Sequence, residues 1–186
     1  MIVEEVKKFV EEECRKPTSK YGLGAFENHF KQMHACAVVL AKEKGADLEI
    51  VEIATWLHDI GSIVYGRENH HITGAEIAET KLKELNYPAD KIERVKKCIL
   101  KHRGSVGAKA ESKEEETIIE ADAMSNFDNI AGIFRGAYIT EGLNEAAAKK
   151  SALDKLERKW QQLGEDAKKI VLPKYEAVML LLGEKR

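Results

Sequence analysis

The chain has 186 residues, of which 44% are hydrophobic and 33% charged, with a formal net charge of −2 and a pI near 6.3. That length encloses one sizeable core, and the balanced charge excludes the global basic field that holds duplex nucleic acid by counterion release. With 13 glycines, 3 prolines and plentiful aliphatic residues, the composition favours helices over turn-rich strands, so the expected class is all-α in a single domain, residues 1–186.

The opening Met1 to Val10 stretch places Ile2, Val3, Val6, Phe9 and Val10 at helical spacing, which predicts an amphipathic helix ending near Pro17. It lacks a signal peptide's apolar core, and no later apolar run is long enough for a bilayer. Cys14, Cys36 and Cys98 form neither a disulfide framework nor a C-x-x-C zinc pattern, so free thiols in a cytoplasmic setting are expected, with no membrane partner. After a glycine-rich loop, a helix from about Asn28 to Lys44 carries His29, Met33, Cys36 and Leu40 on one stripe and stops at Gly45.

Asp47 is placed as the N-cap of a third helix whose buried side reads Ile50, Ile53, Ala54 and Leu57, leading into His58-Asp59 and ending at Gly61. A polar loop through Arg67-Glu68-Asn69 precedes a fourth helix from near His70 to Leu85, and Asn86-Tyr87-Pro88 makes a turn. The fifth helix opens at Ala89-Asp90 and aligns Ile92, Val95, Ile99 and His102. Gly104 to Glu116 reads as an exposed loop, followed by a helix with Ile118, Ile119, Asp122 and Met124. Asn129 to Gly142 is ambiguous; Leu153, Leu156, Trp160 and Leu163 mark another helix, and Ile170 to Leu182 a last one, started or kinked by Pro173. No repeat or linker divides the chain.

Neutral imidazole and ionised carboxylate are ligands for divalent metals, but an adjacent His-Asp alone is weak evidence. The context Ile53-Ala-Thr-Trp-Leu-His-Asp-Ile-Gly61 strengthens it, because it buries one side of a helix and ends it with two polar groups that need partners. With Gly45-Ala-Asp47, Gly74-Ala-Glu-Ile-Ala78, the Ile99 to His102 segment and Glu120-Ala-Asp122, the chain resembles small phosphohydrolases of the HD superfamily, the likeness covering about residues 27–138 with N- and C-terminal helices packed on that core.

The resemblance implies metal ligands at His29, His58, Asp59 and Asp122. His34 competes with His29, since residue i+5 lies about 140° around a helix and both cannot point at one ion. Relatives holding two metals insert two more histidines, here His70 and His102, with His71 as the alternate to His70; periodicity alone would favour His71, which shares a stripe with Ala75, Ala78 and Leu82. The implied cofactor is one or two divalent ions (Mn, Fe, Co, Ni or Mg), about 3.5–4 Å apart if paired, with Asp59 bridging and an activated water as nucleophile.

The implied substrate is a small phosphorylated molecule, in particular a nucleotide, and a homodimer is left open. Catalytic roles fall on His58, Asp59 and Arg103, the last first among Lys101, Arg67 and Arg135 as a phosphate contact. The Ala-Met-Ser after Asp122 departs from relatives that carry a basic residue and a second acid there. Two other readings share the fold: a di-iron oxygenase with a similar six-ligand set, and a non-catalytic nucleotide-binding domain.

Overall fold

In a computed structural model that describes residues 1–103 and 109–183, every regular element among the described residues is helical, and the fold is all-α. The chain divides into two compact units, Met1–Ala121 and Asp122–Arg186.

The first unit contains α1 (Ile2–Arg15), α2 (Leu23–Ala25), a π-helical turn (Phe26–Phe30), α3 (Lys31–Lys44), α4 (Leu48–Leu57), α5 (Ile60–Tyr65), α6 (His70–Glu84), α7 (Ala89–Lys101) and the start of α8 (Lys113–Ser125). At its centre is α4, where Ile50, Val51, Ile53, Ala54, Thr55, Trp56 and Leu57 are all buried. Only Glu49 and Glu52 interrupt its apolar surface, so the rest must be covered, and α4 packs against α1, α3, α6 and α7. Asp47 caps it, accepting from the Ile50 amide at 3.4 Å, and Gly45 ends α3 in the left-handed conformation, φ 62°.

Several expected boundaries move. The second predicted helix begins earlier, and its start is a π-helical turn containing His29. Its wider turn shifts the register, so α3 buries Met33, Ala37, Leu40 and Ala41, while Cys36 leaves the stripe. The third helix ends at Leu57, not Gly61; Gly61 lies inside α5. A Cβ there would collide with the His70 carbonyl and stand 2.7 Å from the Gly74 amide nitrogen, so glycine is needed for the close approach of α5 to α6.

Of the loop predicted from Gly104 to Glu116, residues 104–108 lie outside the described residues, and its last residues are helical, since α8 begins at Lys113. Its first turns are tied down by ion pairs. Arg94 bridges Asp47 and Glu114, Lys44 reaches Glu116 and Glu120, and Lys101 reaches the buried Glu115 at 3.0 Å. Such linked pairs hold an otherwise charged segment as helix.

The second unit holds the end of α8, α9 (Ile130–Arg135), a π-helical turn (Gly136–Thr140), α10 (Glu145–Gln161) and α11 (Glu165–Leu182). The stretch ambiguous in sequence is thus helical over most of its length. Trp160 on α10 stacks on Tyr175 of α11 with ring centres 4.1 Å apart. α11 starts at Glu165, ahead of the expected Ile170, and runs through Pro173. No helix among the described residues is long and apolar enough to cross a membrane.

Candidate metal centre

Helix ends leave backbone carbonyls without intrahelical donors, and the first unit uses them to orient imidazoles. His58 directly follows α4, and its Nδ1 donates to the Thr55 carbonyl at 2.8 Å. His102 directly follows α7, and its Nδ1 donates to the Ile99 carbonyl at 2.6 Å. His70 opens α6 after Asn69, which adopts the left-handed conformation that asparagine tolerates (φ 48°), and its Nδ1 donates to the Arg67 carbonyl at 2.8 Å. A carbonyl can only accept, so each Nδ1 carries the proton and each Nε2 presents a lone pair.

These lone pairs converge on one carboxylate. His29 Nε2 lies 3.0 Å from His58 Nε2, and the two stand 3.6 and 3.5 Å from Asp59 Oδ2. On the other side, His70 Nε2 lies 3.2 Å from His102 Nε2, and these stand 3.3 and 3.6 Å from Asp59 Oδ1. The donors therefore form two triads sharing Asp59: His29, His58 and Asp59, and Asp59, His70 and His102. Ser62 donates its hydroxyl to Asp59 Oδ1 at 3.2 Å, steadying the shared group.

The donor chemistry fits a cation. Two imidazoles whose protons are committed to carbonyls place lone pair against lone pair at 3.2 Å in the His70–His102 contact, an arrangement that repels unless positive charge lies between them. Ligands about 2.1 Å from a metal are spaced about 3.0 Å apart in octahedral and about 3.4 Å in tetrahedral coordination, which matches the separations above. Mixed imidazole and carboxylate donors suit borderline divalent ions such as Mn, Fe, Co, Ni and Zn, with Mg favoured less.

His34, the competitor of His29, is placed elsewhere: its Nε2 meets Glu52 at 2.9 Å and its ring stacks on Trp56, 4.7 Å between centres. His71 lies beside the second triad, its ring 5.8 Å from that of His70. Arg103 is exposed immediately after His102, whereas Lys101 is committed to Glu115 and Glu111. Arg67 and Arg135 are exposed. Asp122 opens the second unit, where its Oδ2 accepts from Lys159 at 2.7 Å. Sequence reasoning did not single out Lys159, and a lysine 37 residues from its partner on a charged helix gives no local signal.

Comparison with known proteins points the same way. The family model described as HD domain matches residues 26–132. Bacillus subtilis YpgQ, solved in complex with ADP, is similar with a TM-score of 0.72 and 19% identity, covering 96% of this chain and 92% of that one. An HD-superfamily hydrolase from Bacillus thuringiensis gives a TM-score of 0.73 and 17% identity, covering 97% of this chain and 93% of that one. A protein from an uncultured Thermotogales bacterium, described as a predicted HD superfamily hydrolase, is 24% identical with a TM-score of 0.57, covering 83% of this chain and 84% of that one. No curated protein matches the sequence. The family match spans more than half of the chain and encloses all five converging donors, and the chain belongs to the HD domain family.

Proposed function

We propose that this chain is a metal-dependent phosphohydrolase that cleaves a phosphate ester, with a nucleotide as the substrate class. The observation that carries this reading is Asp59, whose two oxygens each face a separate pair of imidazole nitrogens. In this reading His29, His58 and Asp59 hold one divalent cation and Asp59, His70 and His102 a second, and Asp122 joins the first set on the strength of the family likeness in sequence. Bound divalent ions would supply Lewis acidity, an acidified water and neutralisation of phosphate charge.

The protein's own part is to keep the donors fixed. The carbonyls of Thr55, Arg67 and Ile99 lock three imidazoles in the tautomer that presents Nε2, so no reorganisation is needed when charge arrives. Arg103, exposed at the end of α7, supplies positive charge to non-bridging phosphate oxygens. The similarity to YpgQ, which was solved with ADP, supports a nucleotide over other esters.

The test is a phosphatase screen of nucleotides and p-nitrophenyl phosphate across Mn, Fe, Co, Ni and Mg, run anaerobically alongside elemental analysis. Phosphate release that depends on added metal is the expected result. Substrate-dependent oxygen uptake with ferrous iron and no phosphate release would overturn the hydrolase reading in favour of an oxygenase. Tight nucleotide binding without turnover under any metal would point to a binding domain instead.

A further inference from the structure

His71 sits one residue from a proposed ligand, yet its ring nitrogens are disposed the opposite way. Its Nδ1 is closed off from solvent and has no hydrogen-bond partner. A buried N–H without an acceptor is among the rarest features of native structures, whereas an unfilled lone pair is tolerated more often. The proton of neutral His71 therefore belongs on Nε2, the ring's open nitrogen. His58, His70 and His102 have the reverse tautomer, each with its Nδ1 proton given to a carbonyl three residues earlier. The distinction is chemical: a lone pair at Nε2 binds a cation, and an N–H at Nε2 binds an anion.

The location agrees. His71, half-buried, stands on the α6 face that carries the buried Ala75, Ala78 and Leu82, in the same first turn as His70. The His70 and His71 rings stand 5.8 Å apart and nearly perpendicular at 76°, which places the second imidazole beside the second triad and not within it. Arg103, just beyond the end of α7, is a cation close enough to act on the His71 ring.

We propose that His71 is a substrate residue, donating its Nε2 proton to a phosphate oxygen on the His70–His102 side of the site together with Arg103, and that it is not a metal ligand. This rests on the phosphohydrolase reading for its choice of ligand. The tautomer and the absence of a metal role are independent of that reading.

Three measurements test it. In metal-free protein, nitrogen NMR should show the proton of His71 on Nε2 and that of His70 on Nδ1; a proton on Nδ1 of His71 would overturn the proposal. In manganese-loaded protein, His71→Ala should keep the wild-type metal content while its affinity for inorganic phosphate, measured by calorimetry, falls by roughly 10- to 100-fold, the range for losing a hydrogen bond to a charged group. His71→Gln, whose amide can place an N–H near the position of Nε2, should recover most of that loss and guards against a mere folding defect in the alanine variant. Loss of one metal equivalent from both variants would make His71 a ligand, and unchanged phosphate affinity in His71→Ala would remove it from the site; either result overturns the proposal. If wild-type protein hydrolyses no ester but His71→Ala still weakens phosphate binding, the hydrolase reading falls and the assignment of His71 stands.

Discussion

The two triads around Asp59 share a carboxylate but are built differently. On the Oδ1 side both histidines sit at helix termini, both are buried and both have Nδ1 anchored to a backbone carbonyl. They come from α6 and α7, which pack along each other. On the Oδ2 side His58 is fully buried and anchored in the same way, whereas His29 comes from a π-helical turn and leaves 24% of its side chain exposed. One half is therefore fixed by the core and the other has one arm near solvent. A preformed half binds with little ordering cost, and the half with the exposed arm is the more natural place for exchange.

The most severe way to break this comparison is to remove what the halves share. Asp59→Ala takes an oxygen from both triads, so it should strip both metals and lower kcat/KM by at least about 10³-fold, while circular dichroism stays helical. Retention of one full metal equivalent in Asp59→Ala would show that the carboxylate does not bridge.

Next in size are the single-half variants. His70→Ala and His29→Ala should each lose one metal equivalent and leave the other. The affinity lost should be on the order of 100-fold or more, beyond the 10- to 100-fold that outer supporting groups command. The contrast lies in the remaining ion. In His29→Ala it resides in the anchored Oδ1 half and should exchange slowly against a chelator; in His70→Ala it resides in the Oδ2 half and should exchange faster. Equal chelation rates would erase the proposed difference in rigidity.

The same asymmetry governs what the sequence could reveal. His58-Asp59 stands out because an apolar run ends in two polar groups, and His102 because it extends the stripe of Ile92, Val95 and Ile99. The all-α class follows from composition and helical spacing. The choice between His70 and His71 does not: both lie in the first turn of α6, and what separates them is a carbonyl at Arg67, delivered by the backbone conformation of Asn69. The π-helical turn around His29 is also illegible, since five residues at a wider pitch leave no periodic trace, and neither is the link from Lys159 to Asp122 written in any local pattern. Asp122 as a ligand still rests on its likeness in sequence.

A smaller effect should come from Gly61→Ala. The added methyl meets backbone atoms of His70 and Gly74, which cannot swing aside as a flexible side chain would. α5 and α6 must separate, at a cost of roughly 1–3 kcal/mol of stability by thermal or urea denaturation. Because the displaced backbone is that of His70 itself, metal affinity should fall more in the Oδ1 half than in the Oδ2 half. If both halves lost affinity equally, the close approach of these helices would not be what fixes His70.

The mildest variant carries the sharpest control. His34 lies five residues from His29, and the two were rivals for one role. In the structure His34 bonds to Glu52 and stacks on Trp56, so His34→Ala removes a part-buried hydrogen bond worth about 0.5–1.5 kcal/mol and a ring contact of about 0.5–1.5 kcal/mol. Stability should drop slightly, metal content should stay at the wild-type value, and kcat/KM should stay within a few-fold of it. The His34 ring is held by the Trp56 stack and the Glu52 carboxylate, while His29 faces His58 and Asp59. A loss of metal in His34→Ala as large as in His29→Ala would show that the π-helical turn does not orient His29 toward the cluster, and the Oδ2 half would have to be rebuilt around His34.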